Sequence, residues 1–142
     1  MQATNSIDTP HALVVEGGAM RGIFATGVLD AWLEQTYHPF DMYFGVSAGA
    51  TNIAAFLCQQ HRRNYKVITD YSCRPEFISY KRFVLGGHLF DLDWLWQKPI
   101  SEIRLDLATF AKQTSPFYIV ATDADSAKAH YIQATADNLE QV

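Results

Sequence analysis

Two short apolar runs, each ending at a glycine-containing turn and followed by a helix-like pattern, constrain the fold more than any other feature of the sequence. Residues 12–16 and 42–46 are largely apolar over a length typical of strands that are buried on both faces. After each run, apolar residues recur at helical spacing, over residues 22–35 and 48–60. This strand–helix–strand–helix order predicts neighbouring parallel strands with a right-handed crossover.

The second half of the chain adds a helix and two further strands to this pattern. Residues 101–113 are predicted to form a helix, with Ser101 or Asp106 as its N-cap. Residues 117–122 and 129–133 are predicted to be strands that pair as a hairpin. The predicted fold is therefore a three-layer α/β/α domain with a mostly parallel central sheet, which we expect to be truncated at the C-terminus.

Residues 61–100 differ in character from the rest of the chain. Six of the eleven Lys and Arg residues lie between Arg62 and Arg82, and aromatic residues are dense there and just beyond. One interpretation is a lid or an interfacial surface, because aromatic residues favour the boundary between water and lipid, and basic residues favour anionic lipid. The alternative is a set of core aromatics beside a solvated basic face. We treat this segment as an excursion within one domain that spans residues 1–142.

Composition and charge limit the class of protein. The chain has 142 residues, of which 49% are apolar, and this is enough for one domain with a core. Its net charge of −4 argues against a nucleic-acid-binding protein. Residues 1–8 show no leader pattern, and no apolar stretch is long enough to cross a bilayer, so we expect a cytoplasmic location, with membrane contact at most peripheral. Cys58 and Cys73 lie in no metal-binding pattern, and we expect both to be buried.

The turn after the second apolar run is a Gly-x-Ser-x-Gly motif, whose members are Gly45, Val46, Ser47, Ala48 and Gly49. A serine on a sharp strand-to-helix turn projects its hydroxyl out of the sheet, and the glycines allow the strand and the helix to approach closely. The N–H groups that begin the following helix point into the same space, where the helix dipole favours negative charge. The motif therefore predicts that Ser47 is a nucleophile.

The turn after the first apolar run is rich in glycine, and its candidate functional residues are Gly17, Gly18, Ala19, Arg21 and Gly22. Without side chains at Gly17 and Gly18, backbone N–H groups can face a ligand, and such donors stabilise the oxyanion of a tetrahedral intermediate. Arg21 is expected to support the loop or to attract an anionic head group. Combined with Ser47, this loop predicts acyl transfer through a serine nucleophile.

A dinucleotide-binding loop is the main alternative for the same glycines. That site has the pattern Gly-x-Gly-x-x-Gly, with an acidic residue about 20 positions further on. Here Ala19 replaces the middle glycine, while Asp41 lies at the required distance. The alternative leaves the motif around Ser47 unexplained, so we prefer a serine hydrolase and keep nucleotide or phosphate binding as a second hypothesis.

The two motifs resemble those of the patatin-like phospholipases, a family of lipid acyl hydrolases. The family pairs an acidic-Gly-Gly-Gly-x-Arg/Lys-Gly loop with a Gly-x-Ser-x-Gly motif a short distance later, and here Ala19 replaces the third glycine. Residues 120–123, Val-Ala-Thr-Asp, also resemble a strand that follows in the family. The resemblance is strong over residues 12–60, weak over 61–115 and moderate over 116–133.

The resemblance implies a Ser–Asp dyad, whose aspartate belongs to an Asp-Gly-Gly or Asp-Gly-Ala motif downstream of the serine. This sequence contains no Asp-Gly pair, so we expect its 142 residues to be the N-terminal part of a longer protein. The alternative is a chain that has lost catalysis. A triad within the chain is a further possibility that we do not favour, since each histidine is more often a surface or packing residue. Its candidate members are His61, His88, His130, Asp91, Asp93, Asp123 and Asp125.

Taken together, these patterns and the resemblance predict hydrolysis of an acyl ester in a lipid or phospholipid, with neither a metal nor an organic cofactor. Backbone N–H groups of Gly18, Ala19 and Ala48 are expected to hold the oxyanion. Two hypotheses of other classes stay open. One is a lipid-binding module without catalysis, and the other is a nucleotide- or phosphate-binding α/β domain.

Overall fold

A computed structural model describes residues 9–141 of the chain. Residues 1–8, for which the sequence predicts no leader, and Val142 lie outside this range. The described residues contain a sheet whose strands are β1 Ala12–Val15, β2 Met42–Val46, β3 Phe117–Thr122 and β4 Ala129–Gln133. The strands lie in the order β1-β2-β3-β4.

The pairing of these strands confirms the predicted α/β class. β1, β2 and β3 are parallel neighbours, and β4 runs antiparallel to β3 as the second strand of the predicted hairpin. Parallel neighbours cannot be joined by a tight turn, and the helix α1 (Ile23–Glu34) crosses over between β1 and β2. All three parallel strands therefore present their carboxyl ends at one edge of the sheet.

Several more helices follow α1 in residues 9–141. A 3₁₀ turn, Ala19–Gly22, precedes α1, and a π-helical turn, Val67–Tyr71, extends the third helix. The remaining helices are α2 Ala48–Leu57, α3 Arg63–Lys66, α4 Tyr80–Val84, α5 Leu92–Glu102 and α6 Leu107–Phe110.

The core lies on one face of the sheet, beneath α1 and α2. Val15, Tyr43 and Phe117 point toward this core and are between 2% and 8% exposed. α2 contributes Ile53 and Phe56, which are 0% and 1% exposed. Because most of α2 is buried, the helix is held firmly against β2, and the turn between them is held with it.

The helix predicted over residues 101–113 is wrong. α5 begins earlier, after Asp91 caps it, and it ends one residue past Ser101. The chain then breaks, and α6 starts at a second cap, where Asp106 accepts a hydrogen bond from the Thr109 N–H group at 3.0 Å. Of the two predicted N-caps, Asp106 is therefore confirmed, while Ser101 lies in the last turn of α5.

The two cysteines do not share one environment. Cys58 is buried as predicted, and desolvation raises the pKa of its thiol to about 12. Cys73 is exposed, so the prediction that both cysteines are buried is wrong for Cys73. Cys73 follows the π-helical turn, where its thiol lies 3.9 Å from the Ile68 carbonyl oxygen.

Candidate active site

The parallel strands bring the two glycine-containing turns to the same edge of the sheet. Val15, the last residue of β1, lies beside Gly45 of β2, so the loop that follows β1 lies next to the turn at Ser47. In open α/β sheets, ligands bind beyond the carboxyl ends of the strands. The fold therefore places both sequence motifs where such sheets bind their ligands.

Ser47 occupies a strained turn between β2 and α2. Its backbone angles are φ 50° and ψ −123°, a left-handed conformation that costs a residue with a Cβ on the order of 1–3 kcal/mol. The N–H groups of Ala50 and Thr51 donate to its carbonyl oxygen, at 2.9 and 3.3 Å, so the backbone rather than the side chain secures the turn. The Ser47 side chain caps no helix N–H group and is exposed. Its hydroxyl is free to act on a ligand.

Gly45 and Gly49 are glycines because the turn leaves no room for a Cβ atom at either position. A Cβ at Gly45 would lie 2.5 Å from the Ala50 Cα atom. A Cβ at Gly49 would overlap the carbonyl groups of Val15 and Glu16. The two glycines thus permit the contact of β2 with α2 and of α2 with the loop after β1. The other two members of the motif are the exposed Val46 and the half-buried Ala48.

The glycine-rich loop packs directly against Ser47. A Cβ built on Gly17 would lie 3.2 Å from both the Ser47 Cβ atom and the Val46 carbonyl oxygen. The loop then turns, with Arg21 N–H donating to the Gly18 carbonyl at 3.0 Å, and Ala19 adopts a left-handed φ of 48°. The exposed Arg21 side chain folds back over Gly18.

Several backbone N–H groups at this edge have no acceptor within the described chain. The N–H groups of Gly18 and Ala19 donate to no atom of residues 9–141. Ala48 is the first residue of α2, so its N–H group also has no partner inside that helix. Unpaired N–H groups at a helix start form a site for an anion, and these flank the serine hydroxyl. The arrangement can stabilise negative charge that develops on a carbonyl oxygen attacked by Ser47.

Among residues 9–141, no histidine or carboxylate is hydrogen-bonded to Ser47 as a general base would be. The Ser47 hydroxyl makes no hydrogen bond to any described residue. His61 pairs instead with Glu34 at 2.9 Å on the surface, at the far end of α2. Asp123 follows β3 at the correct edge, but its carboxylate accepts the N–H and the hydroxyl of Ser126, at 2.7 and 2.6 Å. The hydrogen bond from the Ser126 hydroxyl is the main cause that lowers the pKa of Asp123.

No hydrogen bond within residues 9–141 joins the Ser47 side chain to the remaining members of the candidate triad, which are His88, His130, Asp91, Asp93 and Asp125. Asp91 caps α5 by accepting the Trp94 N–H group at 2.9 Å. His130 lies on the exposed strand β4, as predicted. His88 is exposed beside the Gly86–Gly87 turn, where its carbonyl accepts the Arg82 side chain at 2.8 Å. A Ser–Asp–His triad is therefore not assembled by these residues.

Asp41 argues against the dinucleotide-binding hypothesis. It lies just before β2 begins, at the opposite end of the strand from Ser47. Its carboxylate accepts the His11 N–H group at 2.7 Å, and its own N–H group donates to the His11 carbonyl at 2.8 Å. The acidic residue of a dinucleotide site has to reach a ribose beyond the carboxyl ends of the strands. Asp41 instead joins the segments that precede β1 and β2, at the amino ends of the parallel strands.

Comparison with known protein families decides the relationship that the two motifs suggest. The model of the patatin-like phospholipase family matches residues 13–139, which is most of the chain. The chain belongs to the patatin-like phospholipase family. The match extends across both motifs of the patatin-like site and continues through β3 and β4, and it confirms the resemblance seen in the sequence.

A curated relative of this patatin-like chain is considerably longer. It is the protein named "Uncharacterized protein YjjU" of Escherichia coli (strain K12), which is 43% identical over 130 residues. That alignment covers 89% of this chain and 36% of YjjU, so the chain spans about a third of the length of this relative. No solved structure matches the chain.

Sequence reasoning missed three buried polar residues that lie behind the patatin-like site. Thr26, Asn52 and Asn64 come from three different helices and are between 3% and 5% exposed. Thr26 and Asn52 interrupt largely apolar helices, whereas Asn64 lies in the polar helix α3, where the sequence offers no such signal. Their hydrogen bonds reach the end of the glycine-rich loop, at the Gly22 carbonyl.

Two general features of the described chain bear on what can bind it. No helix within residues 9–141 combines the length and the apolar character needed to cross a membrane. Over the same range, His, Cys, Asp and Glu side chains form no group of three or more that is placed to hold a metal ion.

Proposed function

We propose that this chain carries the nucleophile and the oxyanion donors of a lipid acyl-ester hydrolase. The observation that carries the proposal is the contact between the Ser47 turn and the glycine-rich loop, where a Cβ at Gly17 would lie 3.2 Å from the Ser47 Cβ atom. Membership of the patatin-like phospholipase family supports the lipid class of the substrate. The alternatives to this proposed function are a lipid-binding module without catalysis and a nucleotide- or phosphate-binding domain.

In the proposed reaction, the Ser47 oxygen attacks the carbonyl carbon of an acyl ester. The negative charge on the carbonyl oxygen is held by the N–H groups of Gly18, Ala19 and Ala48, and the start of α2 adds a favourable dipole. The alcohol then leaves as the C–O bond breaks, and an acyl-serine remains. Water attacks this ester in the second step, releases the fatty acid and restores the Ser47 hydroxyl. The reaction requires no metal or organic cofactor.

The Ser47 proton has to pass to a base, and we propose that this base is an aspartate outside these 142 residues. Supporting this, no described histidine or aspartate hydrogen-bonds Ser47, and the sequence has no Asp-Gly pair. Asp123 is a poor alternative because Ser126 occupies its carboxylate. The same aspartate would activate the water of the second step, as a dyad requires.

An apolar cleft next to the site supports a lipid substrate. It lies between β1 and α1, has a volume of about 330 Å³ and reaches Gly17 beside Ser47. Leu13, Phe24 and Trp32 line it, and the Phe24 side chain is 80% exposed. An acyl chain laid along this cleft would cover apolar surface that otherwise faces water.

Exposed apolar residues at the end of α4 and just after it support the proposal of peripheral membrane contact. Phe83, Val84 and Leu85 are 58%, 80% and 77% exposed, and the basic residue Lys81 lies on the same short helix. Arg82 is not available for lipid, because its guanidinium bonds the carbonyls of Phe77 and His88. The lid within residues 61–100, like the cytoplasmic location, remains a prediction.

Labelling with a fluorophosphonate probe tests the proposed function. We expect Ser47 to be labelled in a longer form of the protein that includes an Asp-Gly motif, and Ser47→Ala to abolish the label. Ser101→Ala is the matched control, since Ser101 is an exposed serine that bonds only the Lys98 carbonyl. Labelling that survives Ser47→Ala would refute the nucleophile.

The labelling result, together with liposome binding and thermal stabilisation, separates the alternative functions. Labelling of the 142-residue chain itself would place the base within it and would refute the external aspartate. If neither form is labelled but liposomes of anionic phospholipid retain the protein, the lipid-binding module is favoured. Thermal stabilisation by nucleotides that Ser47→Ala leaves unchanged would favour the nucleotide-binding domain.

A further inference from the structure

Three polar side chains are buried together between α1, α2 and α3, behind the candidate active site. Thr26 and Asn52 are each 3% exposed, and Asn64 is 5% exposed. A buried amide or hydroxyl is costly unless it is hydrogen-bonded. Their partners therefore explain why the fold accepts polar residues at these positions.

Asn52 lies at the centre of this group. Its Nδ2 atom donates to the Gly22 carbonyl at 2.9 Å. Its Oδ1 atom accepts the Thr26 hydroxyl at 2.9 Å and the Asn64 amide at 2.8 Å. The opposite orientation of the amide would set an oxygen against the Gly22 carbonyl and a nitrogen against the Asn64 nitrogen. The partners thus determine which way the Asn52 amide points.

The Gly22 carbonyl is the last one of the 3₁₀ turn Ala19–Gly22, which belongs to the glycine-rich loop. Thr26 also reaches this carbonyl, at 3.0 Å, so two side chains converge on a single backbone oxygen. A Cβ at Gly22 would lie 3.3 Å from the Ala48 Cβ atom, which shows how closely the loop end approaches the start of α2. This carbonyl is therefore the point at which the loop is attached to the helix that follows Ser47.

We propose that Asn52 is a positioning residue that holds the oxyanion donors in place relative to Ser47. The inference rests on the proposed function of the site. Asn52 lies on α2, five positions after the nucleophile, and its amide bonds the loop that carries the N–H groups of Gly18 and Ala19. One side chain thereby connects the nucleophile helix with the donor loop. Because oxyanion donors act only at the correct distance, the connection sets their contribution to the rate.

The outer end of the group is anchored as well. The Asn64 side-chain Oδ1 atom accepts a hydrogen bond from Arg63 Nη1 at 3.0 Å, and Arg63 Nε donates to the Ile103 backbone carbonyl at 2.8 Å. Burial lowers the pKa of the Arg63 guanidinium, which nevertheless keeps these two hydrogen bonds. The Asn52 amide is thus held from the side opposite to Gly22, and α3 prevents it from turning away.

Two substitutions at Asn52 test the role through steady-state kinetics of the longer protein with a p-nitrophenyl ester. Asn52→Ala removes the donor to Gly22, and we expect kcat to fall by about 10- to 100-fold with KM nearly unchanged, since a misplacement of about 1 Å costs on the order of 10² in rate. Asn52→Asp keeps the acceptor for Thr26 and Asn64 but loses the donor, so a similar fall is expected. Thr26→Ser keeps its hydroxyl and should retain activity.

Ile53→Val is the matched control for a loss of packing in the same helix, because Ile53 is 0% exposed and its apolar side chain takes no part in the hydrogen bonds of Asn52. It should lower stability but leave kcat unchanged. If Asn52→Ala retains kcat within twofold of the wild type, or if Ile53→Val lowers kcat as much as Asn52→Ala does, the positioning role is overturned.

Amide hydrogen exchange provides a second readout that does not depend on catalysis. We expect the Arg21 N–H group, which closes the loop by donating to the Gly18 carbonyl at 3.0 Å, to exchange faster in Asn52→Ala than in the wild type, and to be unaffected in Ile53→Val. If Ser47 proves unreactive in the wild type, the proposed function fails, but this difference in exchange still supports the attachment of the loop by Asn52. Equal exchange in all three proteins would overturn it.

Discussion

Replacing Gly45 with alanine is predicted to destabilise the fold strongly, because the turn at Ser47 has no space for a methyl group. The added carbon would lie 2.5 Å from the Ala50 Cα atom and 2.7 Å from its nitrogen. Carbon atoms in favourable contact are about 3.5–4.0 Å apart, so β2 and α2 would have to separate by about 1 Å. The atoms in the way are backbone, and a rotamer change cannot relieve the clash.

The magnitude follows from the burial of α2. Overpacking a core costs about 1–3 kcal/mol and occasionally more. We expect the upper end, about 3 kcal/mol, because Ile53 and Phe56 hold α2 firmly in the core. For a chain of this length, with an unfolding entropy of about 2.1 cal/mol/K per residue, this lowers the Tm by about 10 °C. Thermal unfolding followed by circular dichroism measures it.

Gly27→Ala is the matched control for this prediction. Gly27 lies within α1, and a Cβ there would meet no atom within 4 Å. Alanine is favoured over glycine in a helix by about 0.5–1 kcal/mol, so the Tm should rise by about 2–3 °C. A Tm for Gly45→Ala within about 2 °C of the wild type would refute the reasoning, as would equal losses in the two variants.

Two further predictions concern side chains away from the site. At about pH 8, iodoacetamide should modify the exposed Cys73 and leave the buried Cys58 untouched, since burial raises the pKa of the Cys58 thiol to about 12. Mass spectrometry of the native protein after labelling measures the modification of each cysteine. Modification of both cysteines at equal rates would contradict the prediction. Asp106→Asn should keep the cap of α6 but make stability less sensitive to acid. The hydroxyl of Thr109 lowers the pKa of Asp106 below its ordinary value of 3.8, so the carboxylate stabilises the fold above that value and the stabilisation is lost as the pH falls through the lowered pKa. Urea midpoints at about pH 3 and pH 7 measure the difference, and an identical pH dependence in the two proteins would count against the role of Asp106.

Much of the sheet could be predicted because its strands are short, apolar and bounded by clear turn residues. The strand over residues 117–122 and the hairpin with 129–133 were recognisable for this reason. The helix boundaries near residue 101 were not, since apolar spacing continues across the break and only the two caps decide where each helix starts. Asp91 and Asp106 take that role, and either could equally have been a loop residue in the sequence.

The candidate site shows a similar division. The glycines at positions 45 and 49 and the serine between them form a local pattern, so their turn could be predicted from neighbouring residues alone. Whether the loop after β1 touches that turn depends on the pairing of Val15 with Gly45, which joins residues far apart in the chain. Asp41 illustrates the limit, because its distance in sequence suited a dinucleotide site while its position in the fold does not.

The sequence by itself determined the α/β class, the parallel pairing of the first two strands and the two motifs, because each depends on apolar periodicity and on glycines at short range. Only the tertiary structure decided which polar residues matter behind the site. Asn52 looks like any other polar residue of a helix until α1 and α3 close around it. Hydrogen bonds between distant segments carry no local signature, since their geometry exists only after the helices have packed.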